Sequence, residues 1–259
     1  MVKSLAALTV KLKVSYISNN RPKRSAFYTG DYPFYTKRGA SLVRREALAE
    51  PVRVISVKKT GKPVKEWGEV SVVTAIHLVY DGDEAKHTEV FLDWEDGTRY
   101  TLEGFHWTSE SADGDRCECV CVTHDLKLID MLRQMTDEYQ DEYRNAKITY
   151  IPNKIAQEEN IVIIVSYPHG KSKKVSVGHV NKEKTWNRDM TFTRYSYTAP
   201  TCPGSSGAPV FVMGYNGWYL HTHAGENGEE NYSGEVYSFS SFFPSSKSAK
   251  TEKDKPRRK

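Results

Sequence analysis

Cysteine is scarce in this sequence, and long apolar runs are missing. Four cysteines occur among 259 residues, three of them as Cys117, Cys119 and Cys121, so the widely spaced pairs of a disulfide-stabilised secreted domain are not present. No stretch of eighteen apolar residues exists, which argues against a membrane span. Lys11 and Lys13 interrupt the apolar start, and no small-residue cleavage site follows, so a secretory signal is not expected. These absences predict a reducing, intracellular setting.

The positive charge of the chain is concentrated at its C-terminal end. The net charge is +4, yet residues 246–259 alone carry seven Lys or Arg against Glu252 and Asp254. The rest of the chain is therefore close to neutral, and a basic nucleic-acid-binding face is not predicted for the fold. Residues 244–259 are typical of a disordered, solvated tail, through which binding of nucleic acid or a membrane surface, or nuclear targeting, stays open.

Composition and pattern predict a mainly β protein. The chain holds 16 Tyr and 5 Trp, with short apolar runs separated by Gly, Pro and Asn, as in chains built of many short strands. Strand patterns cover residues 52–57, 67–73, 88–94, 98–102 and 116–122 in the first half and 161–167, 175–180, 191–197 and 209–213 in the second.

Residues 1–47 do not fit this regular pattern. They contain the alternating segment VKLKVSYI, which is followed by a polar, basic stretch. The aromatic residues show no regular interleaving with the basic ones, so a nucleic-acid-binding arm is the less favoured interpretation. We expect residues 1–47 to form an extension that lies on the surface of the fold.

One long helix is predicted near the middle of the chain. Leu126, Ile129, Leu132 and Met135 recur at three-residue steps, which indicates an amphipathic helix over about residues 123–145. Asp125 stands at its start, where a carboxylate caps free backbone N–H groups.

A glycine-bracketed serine pair is the strongest candidate for chemistry. Gly204-Ser-Ser-Gly-Ala-Pro209 lies directly before an apolar β-type run. Glycines let the backbone approach a bound carbonyl group and point N–H groups toward a developing oxyanion. In an α/β-hydrolase elbow a helix would follow the serine, but here strands follow, so that reading is rejected. A plain loop between strands stays the alternative.

The turn resembles the G-x-S-G-x-P active-site turn of trypsin-like (chymotrypsin-fold) serine proteases, with Ser206 at the nucleophile position. The tetrad Thr74-Ala-Ile-His77 likewise resembles the T-A-x-H signature that carries the general base of that family. The resemblance implies an all-β fold of two six-stranded antiparallel β-barrels with a connecting helix. It also implies a protease domain over residues 48–243, a protein or peptide substrate, and no metal or cofactor.

The family's third catalytic residue is an aspartate just before an apolar strand. Asp115 precedes the strand-like run from Arg116 to Val122 and is the preferred candidate, although Arg116 and Glu118 stand where aliphatic residues are usual. Asp125 is the rival, but as the start of the predicted helix it is more simply a cap. Both assignments stay open on the sequence alone.

The resemblance also implies a mechanism. Ser206 would attack the scissile carbonyl, His77 would act as general base and then acid, and Asp115 would fix the imidazole tautomer. The N–H groups of Gly204 and Ser206 would form the oxyanion hole. The alternative function is a catalytically inactive trypsin-like scaffold that serves as a protein-interaction module.

Two segments suggest a substrate preference. Thr201-Cys-Pro-Gly204 and the later run His221-Thr-His223-Ala-Gly225 resemble the corresponding segments of chymotrypsin-fold main proteases of small RNA viruses. There a threonine and a histidine bind Gln or Glu at P1, which implies Thr201 and His223 here, with His221 as the alternative histidine. Ser206 replaces the viral cysteine.

The three clustered cysteines do not predict a metal site. Alternate strand residues lie about 6.5–7 Å apart, so Cys117 and Cys121 are too far apart for both to bind one zinc ion at about 2.3 Å. Buried small thiols are the preferred interpretation.

Overall fold

The computed structural model describes residues 2–24, 31–49, 53–62, 64–93, 97–111, 115–150, 161–185, 193–212, 220–227 and 237–242. Within these ranges the chain folds into two antiparallel β units joined by a long helix. The basic tail over residues 244–259 lies outside the described residues. In the described part of the chain, no helix is both long and apolar enough to cross a membrane.

The first unit is a seven-stranded sheet with the strand order β2-β1-β5-β6-β7-β4-β3. Its strands are β1 (Val10–Tyr16), β2 (Ser41–Ala49), β3 (Arg53–Thr60), β4 (Lys65–Ala75), β5 (Thr88–Asp93), β6 (Arg99–Ser111) and β7 (Arg116–Thr123). The short helices α1 (Val2–Leu8) and α2 (Gly82–Lys86) belong to the same half of the chain.

The second unit is a closed six-stranded barrel with the order β10-β13-β12-β11-β8-β9. Its strands are β8 (Ile161–Ser166), β9 (Lys174–Thr185), β10 (Thr193–Tyr197), β11 (Pro209–Val212), β12 (Leu220–Asn227) and β13 (Tyr237–Phe242). The predicted fold of two antiparallel β units with a connecting helix is thus confirmed, while the first unit has seven strands in place of the expected six.

The N-terminal residues are part of the first sheet, which differs from the expected surface extension over residues 1–47. Strand β1 pairs with β5 on one side and with β2 on the other. Val10, Leu12 and Val14 alternate along it and are fully buried in the main core, while the lysines between them are half-buried. Burial of three aliphatic side chains on one face fixes this strand in the sheet, because each contributes about 1.5–3 kcal/mol.

The long helix α3 (Leu126–Tyr150) covers the junction between the two units. Leu128, Ile129 and Leu132 pack in the core of the first unit, whereas Tyr143 packs with Phe211 of β11. The periodicity of the sequence predicted this helix over about 123–145, and the structure begins it three residues later and extends it to Tyr150.

Candidate active site

His77 lies in a tight turn directly after strand β4. The N–H of Leu78 donates to the carbonyl oxygen of Ala75 at 3.0 Å, which closes the turn at the end of the strand. His77 is only 6% exposed. The turn therefore holds an imidazole at the edge of the first sheet, in a setting where its position is fixed by the backbone.

The pairing of two strands brings Asp115 to this turn. Ala75, the last residue of β4, is the register partner of Arg116, the first residue of β7. Asp115 precedes β7 and adopts a positive φ of 51°, a conformation that aspartate tolerates better than most residues. It is 2% exposed. Strand register thus places a buried carboxylate beside His77.

Asp115 contacts His77 at two points. Its Oδ1 accepts the backbone N–H of His77 at 2.9 Å, and its Oδ2 lies 2.6 Å from the imidazole Nδ1. An ionised carboxylate only accepts hydrogen bonds, so Nδ1 carries the proton and Nε2 is left as the acceptor. This tautomer is the one a general base needs in order to take a proton from a hydroxyl group.

The rival aspartate has a different place. Asp125 is exposed at the start of α3, where its Oδ1 accepts the N–H of Leu128 at 3.1 Å and its carbonyl oxygen accepts the N–H of Ile129 at 3.2 Å. These contacts are those of a helix cap. The structure therefore brings Asp115, and not Asp125, to the histidine.

Ser206 stands on a tight turn ahead of β11. Gly204 and Gly207 both have left-handed φ angles, 93° and 80°, which glycine adopts without a Cβ penalty. The N–H of Ser205 donates to Cys202 at 2.9 Å, and that of Ala208 donates to Ser205 at 3.0 Å. Ser205 is fully buried, whereas Ser206 is half-buried, so the turn presents the second serine.

The backbone of His223 anchors this turn from strand β12. The N–H of Gly207 donates to the carbonyl oxygen of His223 at 2.8 Å, and the N–H of His223 donates to Ala208 at 2.9 Å. Within the described ranges, the N–H groups of Gly204 and Ser206 have no protein acceptor. Amide N–H groups of one turn that have no protein acceptor are what an oxyanion site requires.

The elements that carry the histidine and the serine meet in the fold. Strand β12, which holds the serine turn, contacts strand β4, whose end holds the histidine turn. The structure thus joins His77 to Asp115, and the strand that anchors the serine turn contacts the strand that precedes the histidine turn. A hydrogen bond between the imidazole and the Ser206 hydroxyl stays a prediction.

Among the residues predicted to bind substrate, His223 has a buried side chain with a defined partner. Its side chain is 2% exposed, and its Nδ1 lies 2.6 Å from the hydroxyl oxygen of Tyr197, which is itself fully buried. Thr201 is half-buried, and the structure does not describe the side chain of His221. Sequence patterns do not single out Tyr197, because a tyrosine in an alternating strand resembles any other half-buried strand residue.

The cysteine cluster is a buried group of free thiols. Cys117, Cys119 and Cys121 alternate on one face of β7 and are fully buried, and Cys202 is free and exposed. Burial raises the pKa of the Cys117 thiol well above its ordinary value, so the neutral form is favoured. No group of three or more His, Cys, Asp or Glu side chains in the described segments is arranged to hold a metal ion.

Comparison with known proteins identifies the family. The sequence matches the family model described as a trypsin-like peptidase domain over residues 57–214. Comparison with curated proteins finds no match. Among solved structures, the HtrA-type protease AlgW with a decapeptide is 11% identical, with a TM-score of 0.47. The active form of the Rv3671c protease from M. tuberculosis is 13% identical, also with a TM-score of 0.47.

These structural likenesses differ in extent. The alignment with AlgW covers 94% of this chain and 62% of the AlgW chain, and that with Rv3671c covers 92% and 77%. This chain therefore spans less than two thirds of the length of AlgW. The family match covers more than half of the 259 residues and includes His77, Asp115 and Ser206. The chain belongs to the trypsin-like peptidase domain family.

Proposed function

We propose that the protein is a serine endopeptidase whose catalytic triad consists of His77, Asp115 and Ser206. The observation that carries this proposal is the double contact of the buried Asp115 carboxylate with the backbone and the ring of His77. These two contacts hold the ring in one orientation and favour the tautomer with the proton on Nδ1, which is the form that a general base needs. Membership of the family supports the same reading.

The reaction follows from the chemistry of these groups. Nε2 of His77 removes the hydroxyl proton of Ser206 as Oγ attacks the scissile carbonyl carbon. The oxyanion that forms accepts hydrogen bonds from the N–H groups of Gly204 and Ser206. The protonated imidazole then gives its proton to the leaving amine, and a water molecule, activated by the same base, hydrolyses the acyl-enzyme.

Substrate preference is proposed to depend on His223 and Thr201, with His221 as the alternative histidine. If the Tyr197 hydroxyl donates to Nδ1 of His223, the proton of the neutral ring sits on Nε2, which becomes a donor for a side-chain carbonyl oxygen. Gln, and by the same contact Glu, carries such an acceptor at P1. The buried contact of 2.6 Å supports this arrangement.

A reducing, intracellular location is part of the same proposal. The four cysteines are free thiols, and three of them are buried on a single strand. Such a pattern is usual where glutathione and thioredoxin keep thiols reduced. The substrate is proposed to be a protein or peptide.

A fluorophosphonate probe tests the proposed triad. The probe should label the wild-type protein at Ser206, as located by peptide mass spectrometry, and labelling should be lost in Ser206→Ala and reduced at least about 10³-fold in rate in His77→Ala. Ser205→Ala is the matched control, because its hydroxyl is buried, and it should label normally. Absence of labelling in folded wild-type protein would favour the inactive-scaffold alternative.

A further inference from the structure

A fully buried arginine lies next to the proposed catalytic base. Arg21 is only 1% exposed, and its side chain and that of Glu84 are completely shielded from solvent. Nε and Nη2 of the guanidinium donate to the two carboxylate oxygens of Glu84 at 2.6 and 2.7 Å. This two-point geometry is the strongest kind of arginine–carboxylate pair, and it joins the N-terminal segment to helix α2.

The third nitrogen of Arg21 reaches the catalytic turn. Nη1 donates to the backbone carbonyl oxygen of His77 at 3.0 Å and to that of Pro33, also at 3.0 Å. The backbone N–H of His77 is held by Asp115. Both backbone polar groups of His77 are therefore bonded by buried, charged side chains, a carboxylate on one side and a guanidinium on the other.

Aromatic rings enclose the guanidinium. The rings of Tyr32, Phe34 and Tyr80 have their centroids 5.4–5.8 Å from the Arg21 carbon Cζ. Burial and then the charge of Asp115 raise the pKa of the Tyr32 phenol. The arginine that bonds the His77 carbonyl oxygen is therefore held among aromatic side chains.

Burial of the Arg21–Glu84 ion pair has a high cost in desolvation free energy. Removing two charges from water costs several kcal/mol per ion, and hydrophobic replacements of buried ion pairs are often equally or more stable. Unlike a hydrophobic side chain, Arg21 donates a directed hydrogen bond to the carbonyl oxygen of His77.

We infer that Arg21 is a positioning residue for the base: by holding the His77 carbonyl oxygen, it fixes the turn that aims the imidazole at Ser206. Glu84 in turn orients the guanidinium. Residues 17–24 and 31–34 are then a part of the catalytic unit. The inference rests on the proposed triad, and it assigns a function to a segment that the family match over residues 57–214 does not include.

Steady-state kinetics of two substitutions test the inference. Arg21→Lys keeps the charge beside Glu84 but loses the planar fork, and Arg21→Met removes the charge. Both should lower kcat about 10- to 100-fold, since a base displaced by about 1 Å costs that much, while KM stays within about twofold. Fluorophosphonate labelling of Ser206 should slow in parallel. Arg38 is an exposed arginine that follows these residues and contacts Tyr35, and Arg38→Met should leave both unchanged.

A double variant separates positioning from stability. In Arg21→Met the charge of Glu84 is buried without its partner, whereas Arg21→Met/Glu84→Gln is neutral. Its single amide oxygen can accept from only one of the N–H groups of Ser18 and Tyr80, which bond different oxygens of Glu84. The double variant should therefore melt above Arg21→Met, and it should remain slow. A kcat that returns with the melting temperature, or a folded Arg21→Lys protein at wild-type kcat, would overturn the inference. An unlabelled wild-type protein would instead remove the proposed function itself.

Discussion

The Asp115 carboxylate holds His77 by its backbone and its ring at once, at 2.9 Å and 2.6 Å. The two contacts depend on strand register, because Ala75 at the end of β4 faces Arg116 at the start of β7. Rotation of the carboxylate away from the histidine would break both of these hydrogen bonds. The relationship accounts for how His77 and Asp115, 38 positions apart in the sequence, are in contact.

The first prediction separates the two candidate aspartates. Asp115→Asn should lower kcat by about 10³- to 10⁴-fold, because an amide can donate to Nδ1 and so favours the wrong tautomer. Asp125→Asn should leave kcat unchanged, since asparagine caps a helix about as well as aspartate. Peptide hydrolysis under saturating substrate measures both. Equal loss in the two variants would contradict the assignment.

The second prediction concerns substrate selection. Tyr197→Phe removes the hydroxyl that contacts Nδ1 of His223. The value of kcat/KM for peptides with Gln at P1 should then fall roughly tenfold, which corresponds to the net free energy of one hydrogen bond. His223→Ala should lower it further. The backbone anchors of the serine turn remain in both variants, so peptides with Leu at P1 should be cleaved at an unchanged rate. An unaltered cleavage profile from a peptide library would remove His223 from the P1 site and leave His221 to be tested.

The third prediction tests the packing of α3 against the first sheet. A Cβ added at Gly68 would lie 2.2 Å from Cδ1 of the buried Ile129, so Gly68→Ala should lower the free energy of unfolding by about 1–3 kcal/mol through overpacking. Ile129→Ala alone should cost about 2–5 kcal/mol.

The pair should be coupled. In Gly68→Ala/Ile129→Ala the new methyl group occupies space that the isoleucine leaves, so the double variant should lose about 0.5–3 kcal/mol less than the sum of the single losses. Urea unfolding monitored by tryptophan fluorescence provides all three values. Strict additivity would show that α3 does not pack on this face of β4.

The fourth prediction is a pH dependence that arises at Asp81. Burial acts to raise the pKa of this carboxyl group, but hydrogen bonds from Ser18, Asn20 and the N–H groups of Asp83 and Glu84 outweigh it and hold the pKa below its ordinary value of 3.8. A lowered pKa means that the folded state binds the ionised form more strongly. The stabilisation is therefore present above about pH 4 and is lost as pH falls through the folded-state value.

Asp81→Asn tests this dependence. The variant should be less stable than wild type at pH 7, and the difference between the two unfolding free energies should shrink as the pH is lowered below about 4. Asp83→Asn, an exposed neighbour on the same helix, is the matched control and should follow the wild-type profile. A difference that stays constant down to pH 2 would show that Asp81 has no lowered pKa.

Much of the site was predictable because its chemistry is local in sequence. The serine turn requires two residues with a positive φ angle, and glycine occupies both positions, Gly204 and Gly207. The periodicity of α3 identifies Asp125 as a cap. Residue type alone does not distinguish Asp115 from Asp125, but the position of each relative to a strand or a helix does.

The remainder depends on contacts between distant parts of the chain. Arg21 and Glu84 are 63 positions apart in the sequence. Arg21 also lies near Lys23 and Arg24, in a stretch where the sequence predicts that basic residues are exposed to solvent. Charge patterns do not reveal which arginine finds a buried partner. The alternation of Val10, Leu12 and Val14 indicates a strand, but its pairing with β5 is set by tertiary packing. A short strand with alternating lysines is equally compatible with a sheet edge.

The central claim is that the imidazole of His77 acts on the hydroxyl of Ser206, and a crystal structure of the covalent phosphonate adduct measures this directly. The proposal predicts Nε2 of His77 within about 3 Å of the Ser206 Oγ and the N–H groups of Gly204 and Ser206 about 2.7–3.1 Å from the phosphonyl oxygen. An adduct on another residue, or an imidazole beyond hydrogen-bonding reach of Oγ with the oxygen facing solvent, would contradict it.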